Sequence, residues 1–237
     1  MITHKTKWWL VRLVRLALWP AYPSAQGDLW ETYMAAATKA YQQGNYPEAE
    51  KQLEAAVKEA EGFGPQDPRL ATSLNNLAEA YRLEGRYGKA EPLHRRALAI
   101  REVALGPEHP DVGTALNGLA LVYDAQGRYT EAEPLLKRAL AIYEKALGPE
   151  HPDMAINLNN LGFLYQAQGR YAEAGSLYRR GLAIREKALG PEHPDVAASL
   201  ENYAALRRET GRSDEAAKME ARAEAIRAKH AKENPAK

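Results

Sequence analysis

One period governs this chain. The dipeptides Gly64-Pro65, Gly106-Pro107, Gly148-Pro149 and Gly190-Pro191 recur every 42 residues. Gly85-Arg86-Tyr87 returns as Gly127-Arg128-Tyr129 and Gly169-Arg170-Tyr171, and in weaker form as Gly211-Arg212-Ser213. Gly44-Asn45-Tyr46 lies 41 residues before the first of these, so the opening unit is one residue shorter. Repetition at this scale marks an array of supersecondary units, each of which buries its apolar face only against its neighbours. Five units follow, at about 30–69, 70–111, 112–153, 154–195 and 196–237.

Each unit reads as two helices. Leu74, Leu77, Ala78 and Tyr81 make one apolar stripe with the period of a helix, and Gly85 stops it. Ala90, Leu93, Ala97, Leu98 and Arg101 form a second stripe in which the alanines permit close approach. Glu91 with Arg95, and Glu133 with Lys137, are i,i+4 pairs in the favourable orientation. The link Gly-Pro-Glu-His-Pro-Asp ends one helix and begins the next. Pro110 suits a first helical position and Asp111 the positive end of the dipole. Asp67 replaces His109, His151 and His193 in the first link, which predicts an N-capping role for that position.

Composition removes other options. With 32 Lys+Arg against 31 Asp+Glu the net charge is +1, so no basic field points to nucleic acid. The chain has no cysteine, which excludes disulfides, cysteine-zinc sites and thiol nucleophiles. No phosphate loop, zinc-protease or serine-hydrolase motif is present. The periodic histidines are too far apart to share a metal ion, since packed helix axes lie about 8–10 Å apart. His109-Pro110-Asp111 also spells the J-domain tripeptide, but its recurrence at every later boundary makes that match accidental. We expect no catalytic residues, no metal and no cofactor.

Leu77-Ala78-x-x-Tyr81 followed by Ala90 and Ala97 resembles the tetratricopeptide repeat. The 42-residue spacing and the Leu-Asn-Asn-Leu-Ala and His-Pro-Asp-Val segments are similar to the long variant found in kinesin light chains and in many bacterial proteins. The resemblance implies an all-α fold, a right-handed α-solenoid of five helix-turn-helix units. It weakens at Ala40, Arg207 and Glu220, where terminal units need polar caps. It also implies a partner peptide held along a concave surface of first helices, with Arg82, Asp124, Gln166 and Arg208 sharing the groove. The cationic clamp some relatives use for a C-terminal carboxylate is unmatched, because Thr72/Asn76, Thr114/Gly118 and Ile156/Asn160 occupy those positions.

Two columns of asparagine are the functional signal. Asn75, Asn117 and Asn159 hold one first-helix position; Asn76, Asn160 and Asn202 hold the next, with Gly118 in the gap. Asparagine is a poor mid-helix residue, and its amide matches the N–H and C=O groups of an extended peptide. The alternative is an inter-unit ladder with a purely structural role. Arg96, Arg138, Arg180 and Arg222, beside Arg95, Lys137 and Arg179, read as a solvated or inter-unit face rather than a nucleic-acid stripe, given the glutamates among them.

Residues 1–29 differ from the array. A basic start, the apolar run Trp8–Trp19 and Ser24-Ala25 outline an export signal, interrupted by Arg12 and Arg15. Twelve residues are too few for a span of about 20. An amphipathic surface helix with Trp8, Trp9 and Trp19 at a membrane interface is the second reading, and a poorly ordered tail the third. Export implies a periplasmic or extracellular protein; otherwise a cytoplasmic or membrane-surface location follows. The expected function is a non-enzymatic protein-interaction scaffold, with an oligomerising component of an envelope-associated assembly as the alternative.

Overall fold

A computed structural model describes residues 25–233, so most of the signal-like segment lies outside the described residues. Among those described, ten helices follow one another without a strand: α1 (Ala25–Gln42), α2 (Tyr46–Glu61), α3 (Pro68–Leu83), α4 (Tyr87–Leu105), α5 (Pro110–Ala125), α6 (Tyr129–Leu147), α7 (Pro152–Ala167), α8 (Tyr171–Leu189), α9 (Pro194–Glu209) and α10 (Ser213–Glu233). They divide into two compact bodies, one holding α1–α4 and the other α5–α10. In the first body α2 packs on α3. In the second, α6 packs on α7 and α8 on α9, so successive hairpins stack as the repeat requires.

The boundaries follow from local chemistry. Asp67 caps α3, accepting from the Arg69 N–H at 2.8 Å. His109, His151 and His193 do the same for α5, α7 and α9, each ring Nδ1 accepting from the backbone N–H of Asp111, Asp153 or Asp195 at 3.2, 3.3 and 3.1 Å. The histidine is therefore an acceptor at Nδ1, which fixes its neutral tautomer with the proton on Nε2. Proline holds the first position of each of these helices. Inside a unit, Gly85 turns the chain at φ 77° with nothing within 4 Å of the place a Cβ would take. Its requirement is backbone conformation, not space.

The arginine of Gly-Arg-Tyr has a role that sequence left open. Arg86, Arg128 and Arg170 lie over the rings of Tyr81, Tyr123 and Tyr165 at 4.2, 4.1 and 3.7 Å, so each second helix starts with a cation stacked on its own first helix. In the last unit the tyrosine position is Arg207, and it lies over Tyr203 instead.

Packing compensates size for size. Tyr143 on α6 occupies the space beside Gly113 of α5, where a Cβ would come within 2.9 Å of the ring. Tyr178 does the same to Gly162, at 3.0 Å. The corresponding small residues elsewhere are Ala71 and Ala155, and Ala78 and Ala120. The core of the first body gathers Ala60, Leu70, Leu74, Ala97 and Ile100, with Trp30 and Phe63 against it. The last unit ends in polar residues: Glu224 stands exposed where Leu98, Leu140 and Leu182 stand earlier.

Candidate partner-binding surface

Neighbouring first-helix positions point in different directions because each residue turns the helix by about 100°. The two asparagine columns divide on that account. The Asn75, Asn117 and Asn159 column turns inward. Asn117 and Asn159 are only 8% and 6% exposed. Asn75 Oδ1 accepts from the Nδ1–H of His94 at 3.2 Å. Asn159 Nδ2 donates to Ser199 Oγ of the next first helix at 3.3 Å, and Asn117 Oδ1 accepts from Asn160 Nδ2 at 3.0 Å. These amides tie first helices to each other and to a second helix. Asn76, Asn160 and Asn202 are partly exposed.

The four residues assigned to a groove also separate. Arg82 is buried and held bidentately by Glu79, Nε to Oε2 at 2.8 Å and Nη2 to Oε1 at 2.6 Å. Its charge is spent inside the first body, which corrects the expectation that it faces a ligand. Gln166 accepts from the Tyr178 hydroxyl at 3.1 Å and donates to Glu209 at 2.7 Å. Arg208 is exposed and paired with Glu220. Asp124 is half-buried. Burial pushes the Tyr178 phenol up, and the charges of Asp124 and Glu209 push it further.

In the second body the outward stripe of α7 is Ile156, Asn160, Phe163 and Ala167, flanked by Thr114, Gly118, Leu121 and Ala125 of α5 and by Ala198, Asn202, Ala205 and Glu209 of α9. The bonds from Asn160 to Asn117 and from Gln166 to Glu209 join the three helices along it. Phe163 is 48% exposed. Sequence reasoning passed it over, because a phenylalanine in a helix reads as core. Its signal was its column: Glu79, Leu121 and Ala205 hold the same position, none of them in the apolar stripe that packs the hairpin.

Two further side chains escaped notice. Asn157 is fully buried with neither amide atom hydrogen-bonded. Ser73 and Ser199 hold its position in other units and are satisfied, Ser73 by Trp30 Nε1 at 2.7 Å and Ser199 by Arg185 Nη1 at 2.7 Å. His94 is 1% exposed, its Nε2 has no partner, and its pKa falls to about 3 through burial and then through the charges of Arg82 and Arg101.

The second-helix cations pair with glutamates one unit earlier. Arg96 meets Glu61 at 3.0 Å, Arg180 meets Glu144 at 2.9 Å and Arg222 meets Glu186 at 2.6 Å. Glu91–Arg95 and Glu133–Lys137 form the expected i,i+4 bridges at 3.0 and 2.6 Å. Among the described residues no group of three or more His, Asp or Glu side chains is placed to hold a metal ion.

A helical surface of this kind has known relatives. A nearly identical-repeat putative kinesin light chain from Podosopora anserina is 31% identical, over 89% of this chain and all of its own, with a TM-score of 0.70. BtubC (BKLC) from P. vanneervenii is 24% identical over 91% of this chain and 96% of its own, with a TM-score of 0.68. A Rap protein solved in complex with competence and sporulation factor shares the fold at 17% identity and a TM-score of 0.73, over 84% of this chain and 54% of its own. No curated protein matches the sequence. The tetratricopeptide repeat model matches four overlapping stretches, residues 31–102, 70–145, 111–187 and 153–229. With stacked helix hairpins, the Gly-Arg-Tyr and Gly-Pro punctuation and these matches in hand, the chain belongs to the tetratricopeptide repeat family.

Proposed function

We propose that the chain is a non-enzymatic scaffold that holds a segment of a partner protein against the first-helix face of its second body. Repeats of this family generally serve protein–protein interaction, which supports the reading. The observation that carries it is Phe163, nearly half exposed in a stripe of Leu121, Ile156 and Ala205 with amides at Asn160 and Asn202. Apolar side chains leave water there when a ligand covers them, at about 25 cal/mol per Å². The amides meet the ligand's main chain, so recognition tolerates a range of sequences. Asn117 and Asn159 serve this surface from beneath by tying α5 to α7 and α7 to α9.

The test is affinity capture with the full chain, with a Phe163→Glu variant and with an Arg180→Ala control, all checked for helicity. Proteins held by the full chain and the control but lost by Phe163→Glu support the scaffold reading. Identical capture by all three sinks it. Export is proposed alongside on the strength of residues 1–29, and N-terminal sequencing of the protein from fractionated cells tests it. A chain recovered from the cytoplasm with Met1 intact overturns export.

A further inference from the structure

We infer that the first-helix face of the second body selects segments carrying a basic side chain two residues from a large apolar one. This specificity rests on the scaffold reading above and narrows it. Of the twelve stripe positions on α5, α7 and α9, only Glu209 is charged. Its hydrogen-bond partners are both neutral: Gln166, and the Tyr171 hydroxyl at 3.1 Å. The cations near the same end of these helices are bridged to other carboxylates, Arg128 to Glu131, Arg170 to Glu133 and Glu173, Arg208 to Glu220, and Arg207 and Arg212 together to Glu215. None of these bridges includes Glu209, whose carboxylate stays open to a cation brought by a ligand.

Asp124 lies near Glu209, since the charges of both raise the Tyr178 phenol.

Geometry links Glu209 to the apolar stripe. Gln166 lies three residues from Phe163 on α7 and donates to Glu209 at 2.7 Å. A side chain seated on Phe163 thus sits about one helical turn, near 5 Å, from the residue that holds the carboxylate. On an extended ligand, residues i and i+2 face the same way and lie about 7 Å apart. A leucine or tryptophan at i on Phe163 puts a lysine or arginine at i+2 within reach of Glu209. An acidic residue at i+2 meets like charge there and is rejected.

Three fluorescein-labelled decapeptides test this with the full chain by fluorescence anisotropy, identical except for Lys, Gln or Glu two residues after a leucine. The lysine peptide is expected to bind about tenfold more tightly than the glutamate peptide at low salt, the ratio shrinking to about threefold at 0.5 M salt. Glu209→Gln, which keeps the hydrogen bonds, should bring the ratio close to one while leaving the glutamine peptide unchanged. Phe163→Ala should weaken all three. A ratio that survives Glu209→Gln, or a glutamate peptide that binds best, overturns the inference. Equal binding of all three, lost on Phe163→Ala, overturns the charge selection and leaves the scaffold reading standing. Binding of none of them by folded protein overturns the inference as well, while the capture experiment still decides the scaffold reading.

Discussion

The two bodies are built from one repeat and spend it differently. At the position that holds Leu121 and Phe163 in the second body, the first holds Glu79, and Glu79 is closed onto Arg82 in a bidentate pair. The first body closes a charged pair on itself along this face; the second leaves apolar surface exposed there. The second-helix position that bonds Asn75 in the first body differs in the same manner. It is His94 in the first body, and Leu136 and Tyr178 in the second. A repeat thus conserves its hairpin while single positions decide whether a unit is a strut or a contact surface.

The largest test of this contrast is acid. His94 has a folded pKa of about 3 against an ordinary value near 6.5. The folded state resists the proton that the unfolded state takes up, so this contribution to stability is intact above pH 6.5 and is lost as pH falls toward 3. Each unit of depression corresponds to about 1.4 kcal/mol, so the first body should lose up to about 5 kcal/mol over that window. Urea unfolding of the full chain at pH 7 and pH 4, with first- and second-body probes, reads it. His94→Leu, which copies Leu136, should flatten the first-body response; an unchanged slope would break the contrast.

Glu79→Leu gives the first body the residue of the second. It strands the buried Arg82 guanidinium, and removing one partner of a buried pair costs about 3–5 kcal/mol. Glu79 keeps some access to water, so about 2–3 kcal/mol is expected in denaturant unfolding. A neutral result would mean that the pair is not what shapes that face.

Gly113→Ala should cost about 1–2 kcal/mol in melting experiments, because the new methyl meets the Tyr143 ring and overpacking outweighs the gain in helix propensity. Adding Tyr143→Arg rebuilds the Ala71 and Arg101 combination of the first body and should recover most of the loss. No recovery would show that the two positions are uncoupled.

The smallest effect is a gain. Asn157→Ser installs the residue used at Ser73 and Ser199, whose hydroxyl can bond the carbonyl one turn back as Ser73 bonds Arg69 at 2.9 Å. Relieving an unpartnered buried amide should stabilise the second body by about 1 kcal/mol. A loss instead would show that Asn157 is satisfied in solution.

The hairpins, their punctuation and the capping histidines were legible in the sequence because they return at a fixed period. Recurrence could not tell which of two adjacent columns faces outward, since Asn75 and Asn76 repeat alike while lying about 100° apart on the helix. It also drew attention to what all units share. Phe163, Asn157 and His94 are departures from the repeat, and each takes its meaning from neighbours distant in sequence. The burial of Arg82 was hidden for the same reason: it depends on Glu79, which no other unit has at that position.

Every link from the second onward reads Gly-Pro-Glu-His-Pro-Asp, and its glutamate is bridged to a lysine at the end of the following second helix, Glu108 to Lys145, Glu150 to Lys187 and Glu192 to Lys229. Each junction is thereby interchangeable with the next. Recombination between two copies of its coding sequence can excise or insert a 42-residue block in register, and both the helix cap and the ion bridge re-form with the residues that flank the crossover. Such a gene can change the length of its product in whole steps, and the reach of the contact surface with it, without passing through a misfolded intermediate sequence.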